Sequence, residues 1–125
     1  MTNYQIGDFL IRLKNASMAG IKEVTFFKSN MVLGIAKTLK SEGFIEEVKE
    51  DKKLLTVKLS IFNKKPVLSD IKIVSRPGLR IYMNVEKIES YNKPDVLILT
   101  TPKGIMSGSQ AKKERIGGEL IAKVI

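Results

Sequence analysis

The sequence predicts an α+β protein built from two small lobes that pack against each other. Apolar residues recur at helical spacing in two early segments, and short alternating runs typical of strands dominate the second half. Polar residues and a proline across 62–66 mark the predicted boundary between the lobes. We therefore expect a lobe over residues 1–65 in the order helix-strand-helix-strand-strand, and a mostly β lobe with one short helix over residues 66–125.

The first lobe begins with an amphipathic helix predicted over residues 3–15. Its apolar stripe consists of Ile6, Phe9, Leu10 and Leu13. Its polar face, with Arg12 and Lys14, is either a partner-binding face or a solvated surface over the core. After a strand at 24–27, Ser29 is the predicted N-cap of a second helix and Gly43 its predicted end.

A hairpin completes the first lobe. Its first strand begins at Phe44, and the charged residues 46–53 are predicted to form its turn. Leu55, Val57 and Leu59 alternate with polar residues, as expected of a strand with one buried face.

The elements of the second lobe are all short. In order they are a strand at 71–73, a Pro-Gly turn at 75–78, a strand at 79–83, a helical turn at 85–90, a strand at 96–100, a basic helix at 107–115 and a final strand from Leu120. Before the final strand, Gly117 and Gly118 predict unusual backbone angles or the close approach of another segment.

The amino-acid composition favours a binding protein over an enzyme. The chain has 22 Lys and Arg against 13 Asp and Glu, a formal net charge of +9, which favours a polyanionic partner. Without cysteine or histidine it lacks a thiolate, an imidazole base, a disulfide and the usual zinc ligands. Ser107 and Lys103 are the residue types of a serine-lysine nucleophilic pair, but nothing in the sequence places them within hydrogen-bond reach of each other. We expect no enzyme, cofactor, metal or small-molecule substrate, and no membrane segment or secretion signal.

Candidate binding residues cluster in the second lobe. The apolar run before Thr100 ends in Thr100, Thr101, Lys103 and Gly104, where hydroxyls and a cation can contact sugar, phosphate and base edges of RNA. Arg80 and Tyr82 share one face of their predicted strand and suit phosphate contact and base stacking. Basic side chains in the predicted helix are Lys112, Lys113 and Arg115. Each group also has an interpretation without RNA. The segment after Thr100 would then be a solvent-exposed loop, Tyr82 would pack across strands, and the basic side chains would lie on a solvated helix face.

Five segments carry a resemblance to a known family. They are DFLIRLKNA at 8–16, LKSEGFI at 39–45, VSRPGLRIY at 74–82, TTPKGIM at 100–106 and GGE at 117–119. In this order and spacing they resemble the S8 family of bacterial small-subunit ribosomal proteins across nearly the whole chain.

The resemblance implies a two-domain α/β protein that is part of the ribosome in the cytoplasm, with the ribosome of an organelle as the alternative location. It implies direct binding to a helical region in the central domain of small-subunit ribosomal RNA, support of subunit assembly, and contact with neighbouring ribosomal proteins. By similarity to the family, the residues expected to contact RNA are first Thr100, Thr101, Lys103, Gly104 and Glu119. A second group expected to contact RNA by the same similarity is Arg12, Asn15, Arg80 and Tyr82.

The chain departs from the family pattern at the start of the hydroxyl-rich loop. Thr100 and Pro102 replace two serines, so the hydroxyl and backbone N–H at position 102 are lost. The alternative function is a basic regulator that binds messenger RNA or DNA away from the ribosome, and a messenger RNA is also a possible second partner of a ribosomal protein.

Overall fold

The computed structural model describes residues 4–125. In chain order the elements are α1 (Gln5–Ala19), β1 (Glu23–Phe27), α2 (Asn30–Ser41), β2 (Ile45–Glu50), β3 (Leu54–Leu59), β4 (Ile61–Phe62), β5 (Lys65–Pro66), β6 (Ile71–Ile73), β7 (Tyr82–Met83), α3 (Val85–Ser90), β8 (Val96–Thr101), β9 (Gly104–Ser107), α4 (Gly108–Glu114) and β10 (Gly118–Val124). This arrangement confirms the predicted α+β class.

The strands form three antiparallel sheets. The first has the order β1-β3-β2, and the second has the order β6-β10-β8-β9, with β7 also paired to β10. Strands β4 and β5 form a separate two-stranded hairpin. Because β10 pairs with β6, β7 and β8, the second sheet is organised around the last strand of the chain.

Local signals set the ends of the first two helices. Ser29 caps α2 as predicted, since its Oγ accepts a hydrogen bond from the Val32 N–H at 3.2 Å. Gly43 follows α2 in the left-handed region at φ 89°, which confirms the predicted stop. Helix α1 extends beyond the predicted residue 15 to Ala19 and ends at Gly20, φ 74°; the predicted start at residue 3 lies outside the described residues.

The prediction of a charged turn over 46–53 was wrong for most of its length. Strand β2 continues to Glu50, and only 51–53 separate it from β3. As an edge strand, β2 pairs with β3 on one side and leaves most of its side chains exposed. Its charged residues therefore do not prevent backbone pairing.

Two predictions in the second half also needed correction. Strand β9 was missed, and the expected loop after Thr100 is a two-residue turn between β8 and β9. Only Tyr82 and Met83 of the predicted strand at 79–83 form a regular ladder. Leu79 instead closes the Pro-Gly turn by pairing with Arg76. The hydrophobic pattern of the sequence does not show which residues pair in these strands and turns.

The larger apolar cluster draws on both halves of the chain. It joins residues such as Phe9, Leu13 and Ile35 to Ile98 and Ile121. A smaller cluster, consisting of Ile88, Leu97, Leu99, Ala111 and Leu120, lies around α3 and α4. The lobe boundary at residue 65 stays a prediction. No helix in the part of the chain from Tyr4 onward combines the length and apolar character needed to cross a membrane.

A buried hydrogen bond across the predicted boundary gives a test of lobe packing. Ser17 on α1 donates its hydroxyl to the carbonyl of Leu68. Ser17→Ala leaves this buried carbonyl unpaired and should lower the free energy of unfolding by about 1–3 kcal/mol. Urea unfolding should show one transition, with exposed Ser41→Ala as the control. Two separate transitions would mean that the lobes unfold independently.

Tyr91 predicts a pH dependence at the alkaline end. Burial, and then the 2.6 Å hydrogen bond to Asp95, raise the pKa of Tyr91 from 10.0 to about 12. The stability linked to this group is present below pH 10 and is lost as the pH rises through about 12. Tyr91→Phe should make unfolding stability less dependent on pH between these values. An identical fall in wild type and variant, measured by urea unfolding at each pH, would contradict this linkage.

Candidate RNA-binding surface

One row of side chains crosses the second sheet. Tyr82 on β7 pairs with Glu119 on β10, and Glu119 pairs with Thr100 on β8. Direct partners in an antiparallel ladder project from the same face of the sheet. Three predicted site residues from separate parts of the sequence therefore lie side by side. We call these three residues, together with Arg80, the β10 row.

Glu119 fixes the position of Arg80. The Arg80 Nη1 donates a hydrogen bond to Glu119 Oε2 at 3.1 Å. This hydrogen bond, followed by the charge of Glu119, raises the pKa of Arg80 above its ordinary value. The Glu119 side chain is only 13% exposed, whereas Tyr82 is 65% exposed. The row thus presents a held cation beside an open aromatic ring.

The two glycines before β10 allow its close approach to neighbouring backbone. A Cβ at Gly118 would lie 2.3 Å from the carbonyl oxygen of Thr100, and one at Gly117 would lie 2.6 Å from that of Met83. Neither glycine has a positive φ. Of the two predicted reasons for this pair, the structure supports close approach, which places Glu119 between β7 and β8.

The hydroxyl-rich segment forms a tight turn stabilised by its own side chain. The Thr101 Oγ1 donates to the Gly104 carbonyl at 2.8 Å and accepts from the Lys103 N–H at 3.2 Å. Gly104 has φ 118°, a value that favours glycine. Pro102 is the first of the two turn residues and is exposed. Thr101 is therefore engaged in shaping the turn.

Thr100 differs from Thr101 in the availability of its hydroxyl. The Thr100 side chain is partly exposed, and its hydroxyl has no hydrogen-bond partner within residues 4–125, whereas the Thr101 hydroxyl has two. A free hydroxyl can both donate and accept. Of the two threonines, Thr100 is the one positioned to contact a ligand.

Helix α4 does not form a single basic face. Lys112 borders a depression beside Tyr91 and Asp95, whereas Lys113 borders a groove against α2. Arg115 ends the helix in the left-handed region at φ 54°. The three cations are exposed, but they point to different surroundings.

Lys103 and Ser107 have structural partners. The Lys103 Nζ lies 3.0 Å from Glu114 Oε2, which joins the turn to α4. The Ser107 Oγ caps α4 by accepting from the Gln110 N–H at 3.3 Å. Within residues 4–125, no group of three or more His, Cys, Asp or Glu side chains is arranged to hold a metal ion.

Arg12 and Asn15 lie on α1, apart from the β10 row. The Arg12 Nη1 donates to the Thr25 carbonyl at 3.2 Å, and its guanidinium lies 5.2 Å from the centre of the Phe26 ring. These contacts hold Arg12 against β1. Arg12 and Asn15 line one shallow depression, which also includes Gln5.

A second depression adjoins the first at Gln5. It is formed where α1 and α2 begin, and it includes Tyr4, Ser29 and Asn30 as well as Arg80. The shared Gln5 makes a continuous surface from Arg12 to the β10 row. Ser29 was predicted only as a helix cap, because the proximity of the two helix starts to Arg80 depends on tertiary structure.

Tyr4 connects the start of α1 to the second half of the chain. Its hydroxyl donates to the Ser75 carbonyl at 2.7 Å. Burial raises the pKa of Tyr4, with smaller effects from the nearby charges of Arg80 and Glu119. Tyr4 was not among the predicted site residues, since a lone tyrosine near the N-terminus carries no recognisable pattern.

Comparison with known proteins identifies the family. The family model described as Ribosomal protein S8 matches residues 4–125. Small ribosomal subunit protein uS8 of Pelagibacter ubique is 40% identical over 124 residues, covering 95% of each chain. The uS8 protein of Mesoplasma florum is 41% identical over 128 residues and 99% of each chain, and that of Nitratidesulfovibrio vulgaris is 38% identical over 120 residues and 95% of each chain.

These matches show that the chain is of the class of structural ribosomal proteins, which are not enzymes. The chain belongs to the ribosomal protein S8 family. The resemblance noted in the five sequence segments is thereby confirmed.

The turn at Thr101 gives a prediction that does not depend on RNA. Thr101→Val removes both side-chain hydrogen bonds of the turn and should increase the mobility of 102–104, with a stability loss of about 0.5–1.5 kcal/mol. Thr101→Ser retains the hydroxyl and is the matched control. Backbone relaxation and urea unfolding are the measurements. Equal mobility in the valine and serine variants would exclude this role for the hydroxyl.

Proposed function

We propose that the protein is a structural component of the small ribosomal subunit that binds directly to a helical region in the central domain of the ribosomal RNA and supports subunit assembly. Membership of the S8 family supports the ribosomal role. The observation that carries the RNA contact is the β10 row, which joins Arg80, Tyr82, Glu119 and Thr100 on one exposed part of the sheet.

The chemistry of the row suits an irregular RNA helix. The shallow groove of RNA exposes 2′-hydroxyls and base edges, which the free hydroxyl of Thr100 can pair with. An unstacked base can lie on the open Tyr82 ring, and Arg80 can donate to phosphate or to a base edge. Glu119 acts by holding Arg80, because a carboxylate placed directly against phosphate would repel it.

The remaining proposed contacts supply backbone affinity and turn shape. Thr101 and Gly104 present the turn, while Lys103 and the cations of α4 at Lys112, Lys113 and Arg115 approach phosphates. Arg12 and Asn15 add a contact from α1 through the surface that Gln5 shares with Arg80. In this proposal the lobe over 66–125 supplies most of the specificity, and the lobe over 1–65 adds affinity.

Partners and location follow from the same proposal. The protein acts in the cytoplasm as part of the ribosome and contacts neighbouring small-subunit proteins. A messenger RNA that folds into a helix of the same shape would bind the same surface, so it would compete with the ribosomal RNA fragment rather than bind beside it.

Charge at this surface predicts the salt dependence of binding. The net charge is +9, and neutralising phosphates releases counterions from the RNA. Binding to a central-domain RNA fragment should weaken steeply with salt, and Lys113→Gln should reduce the slope of log affinity against log salt by about 1. Lys49→Gln, an exposed residue of β2 outside the proposed contacts, is the control. A flat salt dependence would contradict the phosphate contacts.

Glu119 gives a test of specificity. Glu119→Gln weakens the hold on Arg80 and should lower affinity for the irregular RNA helix by about tenfold, the scale of one charge-assisted hydrogen bond. Affinity for a fully paired duplex of equal length should not fall. Binding titrations with both RNAs provide the measurement.

Glu23→Gln makes the same charge change on β1 and serves as the matched control for this test. Tighter binding of the irregular helix by Glu119→Gln, or an equal loss in the Glu23 variant, would overturn the positioning role. A chain that binds both RNAs equally would overturn the proposed RNA specificity.

A further inference from the structure

An exposed apolar surface lies at one end of the molecule, and the proposed RNA contacts do not use it. It consists of Met18, Ile21, Ile61, Phe62 and Val67. Phe62 is 71% and Met18 is 73% exposed, and the other three are between 37% and 53% exposed. We call these five residues the apolar end surface. A cluster of this kind on a soluble protein marks an interaction site more often than single exposed apolar residues do.

Hydrogen bonds bring the parts of this surface together. The Ser17 hydroxyl bonds to the Leu68 carbonyl, which joins the residues next to Met18 and Val67. The Leu59 N–H donates to the Lys22 carbonyl at 2.8 Å, and the Val67 N–H donates to the Ser60 carbonyl at 2.8 Å. The end of α1 and both sides of the β4–β5 hairpin therefore occupy the same end of the molecule.

The hairpin holds Phe62 outward. Ile61 pairs with Pro66 and Phe62 with Lys65, so the turn contains only Asn63 and Lys64. These turn residues have φ values of 52° and 65°. Two left-handed residues match the twist of a tight hairpin, but for lysine the conformation is unfavourable. The fold thus maintains a constrained turn whose neighbouring aromatic side chain remains uncovered.

The apolar end surface is separate from the β10 row. Helix α1 has 15 residues and therefore spans about 22 Å. Its first turn adjoins the depression that contains Arg80, whereas Met18 lies in its last turn. A partner bound at the β10 row would leave the other end of α1 available.

The chemistry of the surface favours a protein partner over RNA. Four of its five side chains are aliphatic or a thioether, and such groups do not offer the planar faces on which bases stack. They suit the apolar side chains of a protein segment, with Phe62 as the central anchor.

The charges at the rim specify an acidic partner. Lys22, Lys64 and Lys65 are exposed, and none of them forms an ion pair with another residue in 4–125. Of the nearby carboxylates, Asp70 is already paired, since it binds Lys14 at 3.0 Å. A second copy of the chain would place the same lysines against each other.

We propose that the apolar end surface binds an acidic segment of a neighbouring protein of the small subunit, with apolar side chains of that segment packed on Phe62 and Met18. This partner assignment rests on the ribosomal role proposed above. The lysines at the rim would pair with Asp or Glu of the segment and increase its rate of association.

Site-specific photo-crosslinking distinguishes this proposal from the RNA contact. A benzophenone amino acid replaces Phe62 in one full-length chain and Tyr82, which is 65% exposed, in another. Both chains are assembled into small subunits from ribosomal RNA and the complete set of small-subunit proteins. Position 62 should crosslink to an Asp/Glu-rich peptide of one other ribosomal protein, and position 82 should crosslink to RNA.

Each result at position 62 decides the proposal. A crosslink to RNA, a crosslink to a second copy of this chain, or no protein crosslink above that in unassembled mixtures would overturn it. A crosslink at position 62 to a basic peptide would also overturn it. Loss of the RNA crosslink at position 82 alone would instead count against the proposed function.

Charge reversal tests the lysines without disturbing the apolar residues. Lys64→Glu combined with Lys65→Glu should lower the protein crosslink yield at position 62 by about tenfold. Lys49→Glu on β2 combined with Lys53→Glu in the turn before β3 makes the same charge change and is the control. Equal reductions in both double variants would show an effect of net charge and would overturn the assignment of an acidic partner.

Discussion

The pairing of β10 with three other strands is the constraint on which the second half of the structure depends. Strand β10 buries Leu120, Ile121, Ala122 and Val124, which link the two apolar clusters. Its backbone also contacts the turn before β7. The Ser75 hydroxyl donates to the Leu120 carbonyl at 2.6 Å and accepts from the Ile81 N–H at 3.0 Å. Because all these contacts are made to β10, residues at the end of the chain determine the position of segments far earlier in it.

The same pairing explains an acidic residue in the middle of a surface that otherwise suits RNA. Glu119 is held between β7 and β8 by the register of β10, and the glycines before it permit that close approach. Its partner Arg80 would otherwise be a mobile side chain beside a turn. Ordering such a side chain in the free protein reduces the entropy that must be lost on binding. A carboxylate can therefore favour polyanion binding indirectly, even though its own charge opposes it.

Helix α1 connects the part of the protein beside the β10 row to the apolar end surface. Its first turn meets Ser75 through Tyr4, and its last turns meet Leu68 through Ser17. Both contacts join the first half of the chain to the second, and the buried face of the helix adds Phe9, Leu10 and Leu13 to the core. The helix is thus a rigid spacer between the β10 row, where we propose RNA contact, and the apolar end surface. Rigid spacing suits a protein that must contact two components of an assembly in a defined relation.

Sequence patterns alone determined the α+β class, both N-terminal helices, the Ser29 cap, the Gly43 stop and the alternating strand β3, because each depends on spacing or backbone preference within a few residues. They also selected Tyr82, Glu119 and Thr100 as candidates for RNA contact, through the resemblance and the character of the side chains. Tertiary structure alone decided that these three form one row, that Thr101 serves its own turn, that β2 continues to Glu50, and that β9 is a strand. The physical reason is that strand pairing joins residues distant in sequence, and an exposed edge or a short turn leaves no periodic signal in the chain.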